Sequence, residues 1–116
     1  MSSSRQKIID HVSCLDNFVI GNIRGGWYPH GTGAAIGLLP AELAQALNGV
    51  DGPVYVVHSY ETPIAWHPAS GVNVWEVPDV RYSTTTSGHQ NLVKQAITVR
   101  SERINQALTE VWISTD

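Results

Sequence analysis

The sequence predicts an α+β domain: a small antiparallel sheet of three to four strands, packed by short N-terminal helices and one long C-terminal helix. Three observations carry this. Val54-Tyr55-Val56-Val57-His58-Ser59-Tyr60 is a period-two run, and two further β-prone runs follow it closely. Their connections suit only an antiparallel meander, spanning 54–77. Apolar residues also recur at helical spacing upstream, at Ile8, Val12 and Leu15 and again at Leu39, Leu43 and Leu47. Finally, Leu92, Val93, Ala96, Ile97, Ile104, Ala107, Leu108 and Val111 trace one broad helical stripe. Helices segregated on a small antiparallel sheet define the class.

The elements follow in order. Ser3 or Ser4 can cap a first amphipathic helix ending near Leu15. A weak strand is expected over 17–23, with Gly21 interrupting it. Residues 24–37 hold Gly25, Gly26, Gly31, Gly33 and Gly37 with Pro29, which predicts an irregular, mobile loop. Pro40 suits a first helical turn and Gly49 a C-terminal stop, so a short helix lies between them. The meander then runs through 54–60, 62–67 and 72–77. Alternation puts Val54, Val56 and His58 on one face and Tyr55, Val57 and Ser59 on the other. Both faces are apolar, so both are expected to be covered. Ser87 with Gln90 three residues on reads as a capping box for the last helix. A helix over 87–112 would be about 40 Å long, against a radius of gyration of about 13 Å for a domain this size. It is expected to protrude, to bend near Arg100 or to pack on a second copy.

The 116 residues make one domain, 1–116, without repeats or linkers. At 42% apolar and 15% charged, the chain has a globular composition. Net charge is −3 with seven Lys and Arg in no cluster, which argues against a nucleic-acid-binding face. Cys14 is the single cysteine, so there is no intrachain disulfide and no thiolate zinc cage. The N-terminus does not read as a signal peptide, and no apolar run reaches the roughly 18 residues of a membrane span. A cytoplasmic setting is expected, with no membrane partner.

Four groups of residues could carry chemistry. Gly31-Thr32-Gly33-Ala34-Ala35-Ile36-Gly37 resembles a phosphate cradle, but its third glycine is one place late for a dinucleotide fingerprint and no Lys-Ser/Thr pair follows. A surface loop explains it better. His58 and His67 lie on adjacent strands without metal-ligand spacing, and hydrogen-bonded histidines explain them better than a metal site does. No metal or cofactor is implied.

The third group is the strongest. Ser59, Tyr60 and Thr62 end the first hairpin, while Ser83, Thr85, Thr86, Ser87 and His89 open the long helix. A helix N-terminus supplies free N–H groups and partial positive charge, so grouped hydroxyls and an imidazole there could hold a small anion. A neutral His89 could also serve as a general base. Helix capping by the same hydroxyls is the plainer alternative. The fourth group is aromatic. Trp27 and Tyr28 on the glycine loop suit partner contact, and Trp112 on the long helix suits a dimer seam.

Two strings carry a resemblance, Ser59-Tyr60-Glu61-Thr62-Pro63-Ile64-Ala65 and Tyr82-Ser83-Thr84-Thr85-Thr86-Ser87-Gly88-His89. The chain resembles, over about 54–95, a family of small uncharacterised proteins of phages, plasmids and bacteria that share both motifs. The resemblance implies a phage or mobile-element accessory protein and places the two strings together. It implies no reaction or cofactor. The expected function is therefore non-enzymatic binding of a host or phage protein, with a homodimer through the C-terminal helix as a further expectation. The alternatives are an anion- or nucleotide-binding module, or a phosphodiesterase- or nuclease-like enzyme built on the hydroxyl and histidine group.

Overall fold

The computed structural model describes the backbone of residues 3–114 and the side chains of residues 3–108. The element order is α1 (Ser4–Ser13), β1 (Phe18–Ile20), β2 (Ile23–Tyr28), α2 (Ala41–Asn48), β3 (Val54–Ser59), β4 (Thr62–Pro68) and α3 (Thr84–Ser114). The strands form one antiparallel sheet in the order β1-β2-β3-β4. This is the α+β architecture the patterning predicts.

Local chemistry starts and stops these elements. The Ser3 hydroxyl accepts the Gln6 N–H at 3.2 Å and caps α1, which turns Ile8, Ile9 and Val12 inward. Pro40 precedes α2, and Gly49 ends it by donating to the Gln45 carbonyl. Gly21, at φ 60°, turns β1 directly into β2. The stretch 17–23 is thus a hairpin corner rather than one strand.

The sheet is covered on both faces. Tyr55 and Val57 meet Ile8, Ile9 and Val12 of α1 and Leu92, Val93 and Ala96 of α3. Val54 and Val56 meet Leu47 of α2 with Ala34 and Leu39. Between β3 and β4 the register slips at Val57/His58, where Ile64 is the extra residue. Ile64 and Ala65 therefore both join the α1/α3 side, and Trp66 joins the α2 side.

Three further expectations need correction. The glycine-rich stretch is not all loop, because its first residues complete β2. Gly25 is there for space: a Cβ would collide with the Tyr55 hydroxyl and lie 2.6 Å from the Phe18 ring. Gly25→Ala is expected to cost about 1–3 kcal/mol, read as a lower urea midpoint; an unchanged midpoint would mean that both rings move aside freely. Second, residues 72–77 form no third meander strand but touch β4 through one bridge, Trp66 to Glu76. Asn73 sits at φ 54°, and the Val74 N–H goes to the His67 ring instead of a ladder carbonyl. Third, α3 begins at Thr84 and not at Ser87. The Ser83 hydroxyl accepts the Thr86 N–H at 3.1 Å as its cap, while the Gln90 amide donates to the Val80 carbonyl.

The helix α3 continues through Arg100 and Ser101 without a break. Arg100 interrupts the apolar stripe because it closes α1: its guanidinium donates to the Ser13 carbonyl at 3.1 Å, and Arg103 donates to the Ser13 hydroxyl at 3.1 Å. The longest dimension of the molecule, 51 Å, reflects this helix. Trp112, the residue expected at a dimer seam, lies outside the described side chains. Among the described residues no helix is long and apolar enough to cross a membrane.

Candidate functional site

The two motif strings meet in space. Ser59 closes β3 and is 1% exposed. Its Oγ lies 3.0 Å from Thr86 Oγ1 and 2.7 Å from His89 Nδ1. Ser83 Oγ donates to Thr86 Oγ1 at 3.2 Å. One order gives every hydroxyl hydrogen of this network an acceptor within it. Ser83 supplies its proton to Thr86, so the Thr86 hydroxyl hydrogen goes to Ser59, and the Ser59 hydrogen goes to His89 Nδ1. His89 is thereby held as the neutral tautomer with its proton on Nε2. Burial acts in the same direction and lowers the pKa of His89 below the usual histidine value.

This network joins the sheet to the first turn of α3. In form it contains a hydroxyl hydrogen-bonded to an imidazole, the pairing a nucleophile needs. However, Ser59 and Thr86 are both buried, and their hydroxyls are satisfied within the fold.

The other motif residues are placed elsewhere. Thr62 is buried, and its Oγ1 accepts the Leu38 N–H at 2.9 Å. Gly37, at φ 47°, packs there so closely that a Cβ would collide with the Glu61 carbonyl and the Thr62 hydroxyl. Thr62 therefore fastens the 36–38 loop to the hairpin. Thr85 is exposed on the first turn of α3, apart from the network. Ser87 lines an open polar cleft of about 360 Å³ with Arg81, Asn91 and Lys94.

Tyr60 is one of the non-glycine residues at positive φ, with Leu15 and Asn73, and the one that sits in a two-residue hairpin turn. Together with Glu61 it makes the two-residue turn between β3 and β4, and it does so at φ 56°. That region is costly for a side chain with a Cβ and suits glycine. Its N–H donates to the Asn22 carbonyl at 2.7 Å, and its carbonyl accepts from the Arg24 guanidinium at 2.8 Å. Arg24 in turn pairs with both Glu61 oxygens at 3.3 Å. These bonds clamp the two hairpin turns side by side and leave the Tyr60 ring 48% exposed. A cleft of about 280 Å³ beside it is lined by Val19, Ile23, Arg24 and Glu61.

Trp27 and Tyr28 stand on β2. The Trp27 indole donates to the Leu15 carbonyl at 2.9 Å, and its ring lies 5.6 Å from that of Tyr55. Tyr28 is half-buried, its ring centroid 5.9 Å from that of His58. His58 and His67 lie on opposite faces of the β3/β4 hairpin. Among the described residues no three His, Cys, Asp or Glu side chains gather as metal ligands.

Sequence reasoning passed over Val19 and Leu38, both exposed near the Tyr60 turn. A signal existed: Ser59-Tyr60-Glu61-Thr62 is a tight hairpin corner without the Gly, Asn or Asp such corners normally use.

Fold and site together define a small α+β protein with an internal hydroxyl and histidine fastener and an exposed aromatic corner. The chain belongs to a family of unknown function, DUF8033, whose model matches residues 1–109. Comparison with curated proteins and with solved structures gave no match.

Proposed function

We propose that the protein is a non-enzymatic binding module of a phage or other mobile element, and that it docks a host or phage protein on the hairpin corner around Tyr60. The observation that carries this is Tyr60 itself. The fold keeps a large aromatic side chain, half exposed, at a backbone position where glycine would be less strained. Strain maintained at an exposed residue is a mark of function. The neighbourhood fits: Val19 is 75% and Leu38 76% exposed, and both belong to segments packed around the same turn. An aromatic anchor among aliphatic side chains beside one ion pair has the make-up of an interface centre. The burial of Ser59 favours the same reading, because an attacking hydroxyl has to reach its substrate. The phage setting rests on the resemblance carried by the two motif strings.

The test is Tyr60→Gly. Relief of the positive φ is expected to raise stability by about 1 kcal/mol, while capture of the partner from host lysate is lost. Thus the function falls as the melting temperature rises. Equal capture of the same protein by both forms would overturn the assignment. Retention of a nucleotide with no protein would move it to a small-molecule site.

A further inference from the structure

Residues 69–77 cross the outer edge of β4, and a histidine pins them there. Trp66 and Glu76 exchange backbone bonds at 3.0 and 2.9 Å, and the Asn73 amide donates to the Ser101 hydroxyl of α3 at 2.8 Å. The strap is also held by the Ala69 N–H on the Pro53 carbonyl at 2.9 Å, by Trp75 and Val77 packed against the core, and by the bond from the Val74 N–H to His67 Nε2 at 3.0 Å. His67 is 1% exposed. Its Nδ1 lies 2.8 Å from the Pro68 carbonyl, an acceptor, so Nδ1 carries the proton and Nε2 carries the lone pair. Both ring nitrogens are thus committed in the neutral form only. The Trp75 indole closes over the ring, at a centroid distance of 5.2 Å and nearly perpendicular.

We propose that residues 69–77 form an acid-released strap, held on the edge of β4 by neutral His67. A proton added at Nε2 sets that N–H against the Val74 N–H, two donors at hydrogen-bond distance with no acceptor between them. The Pro68 carbonyl on Nδ1 favours the cation, but burial outweighs it and no charged partner compensates. From α3 the charge acting on the ring is Arg100, which is repulsive. From β3 the partner across the ladder is Tyr55, whose phenol burial keeps protonated. On the strap itself the one carboxylate, Glu76, is exposed to solvent. Burial and Arg100 both lower the pKa of His67, so release falls below the ordinary histidine range near pH 6.5. Once the strap lifts, the backbone of Trp66 on the edge of β4 is left unpaired and open to an added strand. This lies at the opposite end of the β3/β4 hairpin from Tyr60 and does not depend on the docking reading.

The experiment is amide hydrogen exchange on the whole chain at pH 7.5 and pH 5, corrected for intrinsic rates, with the His67 tautomer read from nitrogen NMR. Protection at Val74 and Glu76 is expected to fall tenfold or more relative to Val56 and Val57 at the lower pH. At pH 7.5 the proton is expected on Nδ1. In His67→Gln the protection of Glu76 is expected to stop responding to pH. The proposal is overturned if strap protection is the same at both pH values, if it falls only in step with Val56 and Val57, or if Nε2 carries the proton at pH 7.5. Should His67→Gln fail to fold, the wild-type tautomer and exchange ratio decide the matter alone.

Discussion

Below about pH 6.5 the protein is expected to lose stability steeply, by up to about 1.4 kcal/mol per pH unit for each fully buried histidine. His58 is the main contributor. It is wholly buried, its Nε2–H donates to the Ala35 carbonyl at 2.8 Å, and its Nδ1 has no partner. A second proton would be an unsatisfied donor on a buried cation. Burial, with Arg24 opposite on β2, holds the pKa of His58 below its usual value. The unfolded chain accepts a proton near pH 6.5 and the folded chain resists it. Stability is therefore complete above that pH and declines as the pH falls toward the lowered folded value. His67 adds to the decline until its strap opens. Urea midpoints at pH 7.5, 6.5 and 5.5 measure the effect, and His58→Gln, which keeps a donor for Ala35, is expected to flatten it. Equal midpoints at all three pH values would refute the account.

The second large effect is expected at Ser59. Ser59→Ala removes the middle of the hydroxyl chain. Thr86 Oγ1 then has a buried hydrogen without an acceptor, and His89 Nδ1 has a lone pair without a donor. Together these cost about 3 kcal/mol. The chain is a unit, so adding Thr86→Val to Ser59→Ala is expected to cost less than the two single losses summed. Denaturant unfolding of the four proteins gives the answer. A Ser59→Ala loss well under 1 kcal/mol would mean that the network does not fasten α3 to the sheet.

These expectations depend on proximity that the sequence suggested only in part. Ser59 and His89 are thirty residues apart, and the two motif strings hinted that they meet. Which hydroxyls join was not legible. Ser59, Thr86 and Ser83 point into one network, whereas Thr85 and Ser87 lie on other sides of the same helical turn. Helical rotation of about 100° per residue separates such neighbours, and their shared composition conceals it.

Misreadings elsewhere have similar causes. Gly25 resembled a loop glycine because its reason for being small, the Tyr55 hydroxyl, belongs to a strand far along the chain. Residues 72–77 alternate like a strand, yet Asn73 turns left-handed and the His67 ring takes the Val74 N–H, so only one bridge forms. Arg100 looked like a flaw in a helical stripe, and it closes the end of α1 instead.

The sequence by itself determined the α+β class, the first two helices, the strands β3 and β4 and the double-sided burial of the sheet. Each of these follows from periodicity and capping within a few residues, where chain connectivity dictates the geometry. Only the tertiary structure decided that β2 is a strand, that Tyr60 is held exposed at positive φ, and that His58, His67 and His89 are each committed to one neutral form. Those depend on steric contact and hydrogen-bond partners between residues distant in the chain, and local pattern carries no record of such contacts.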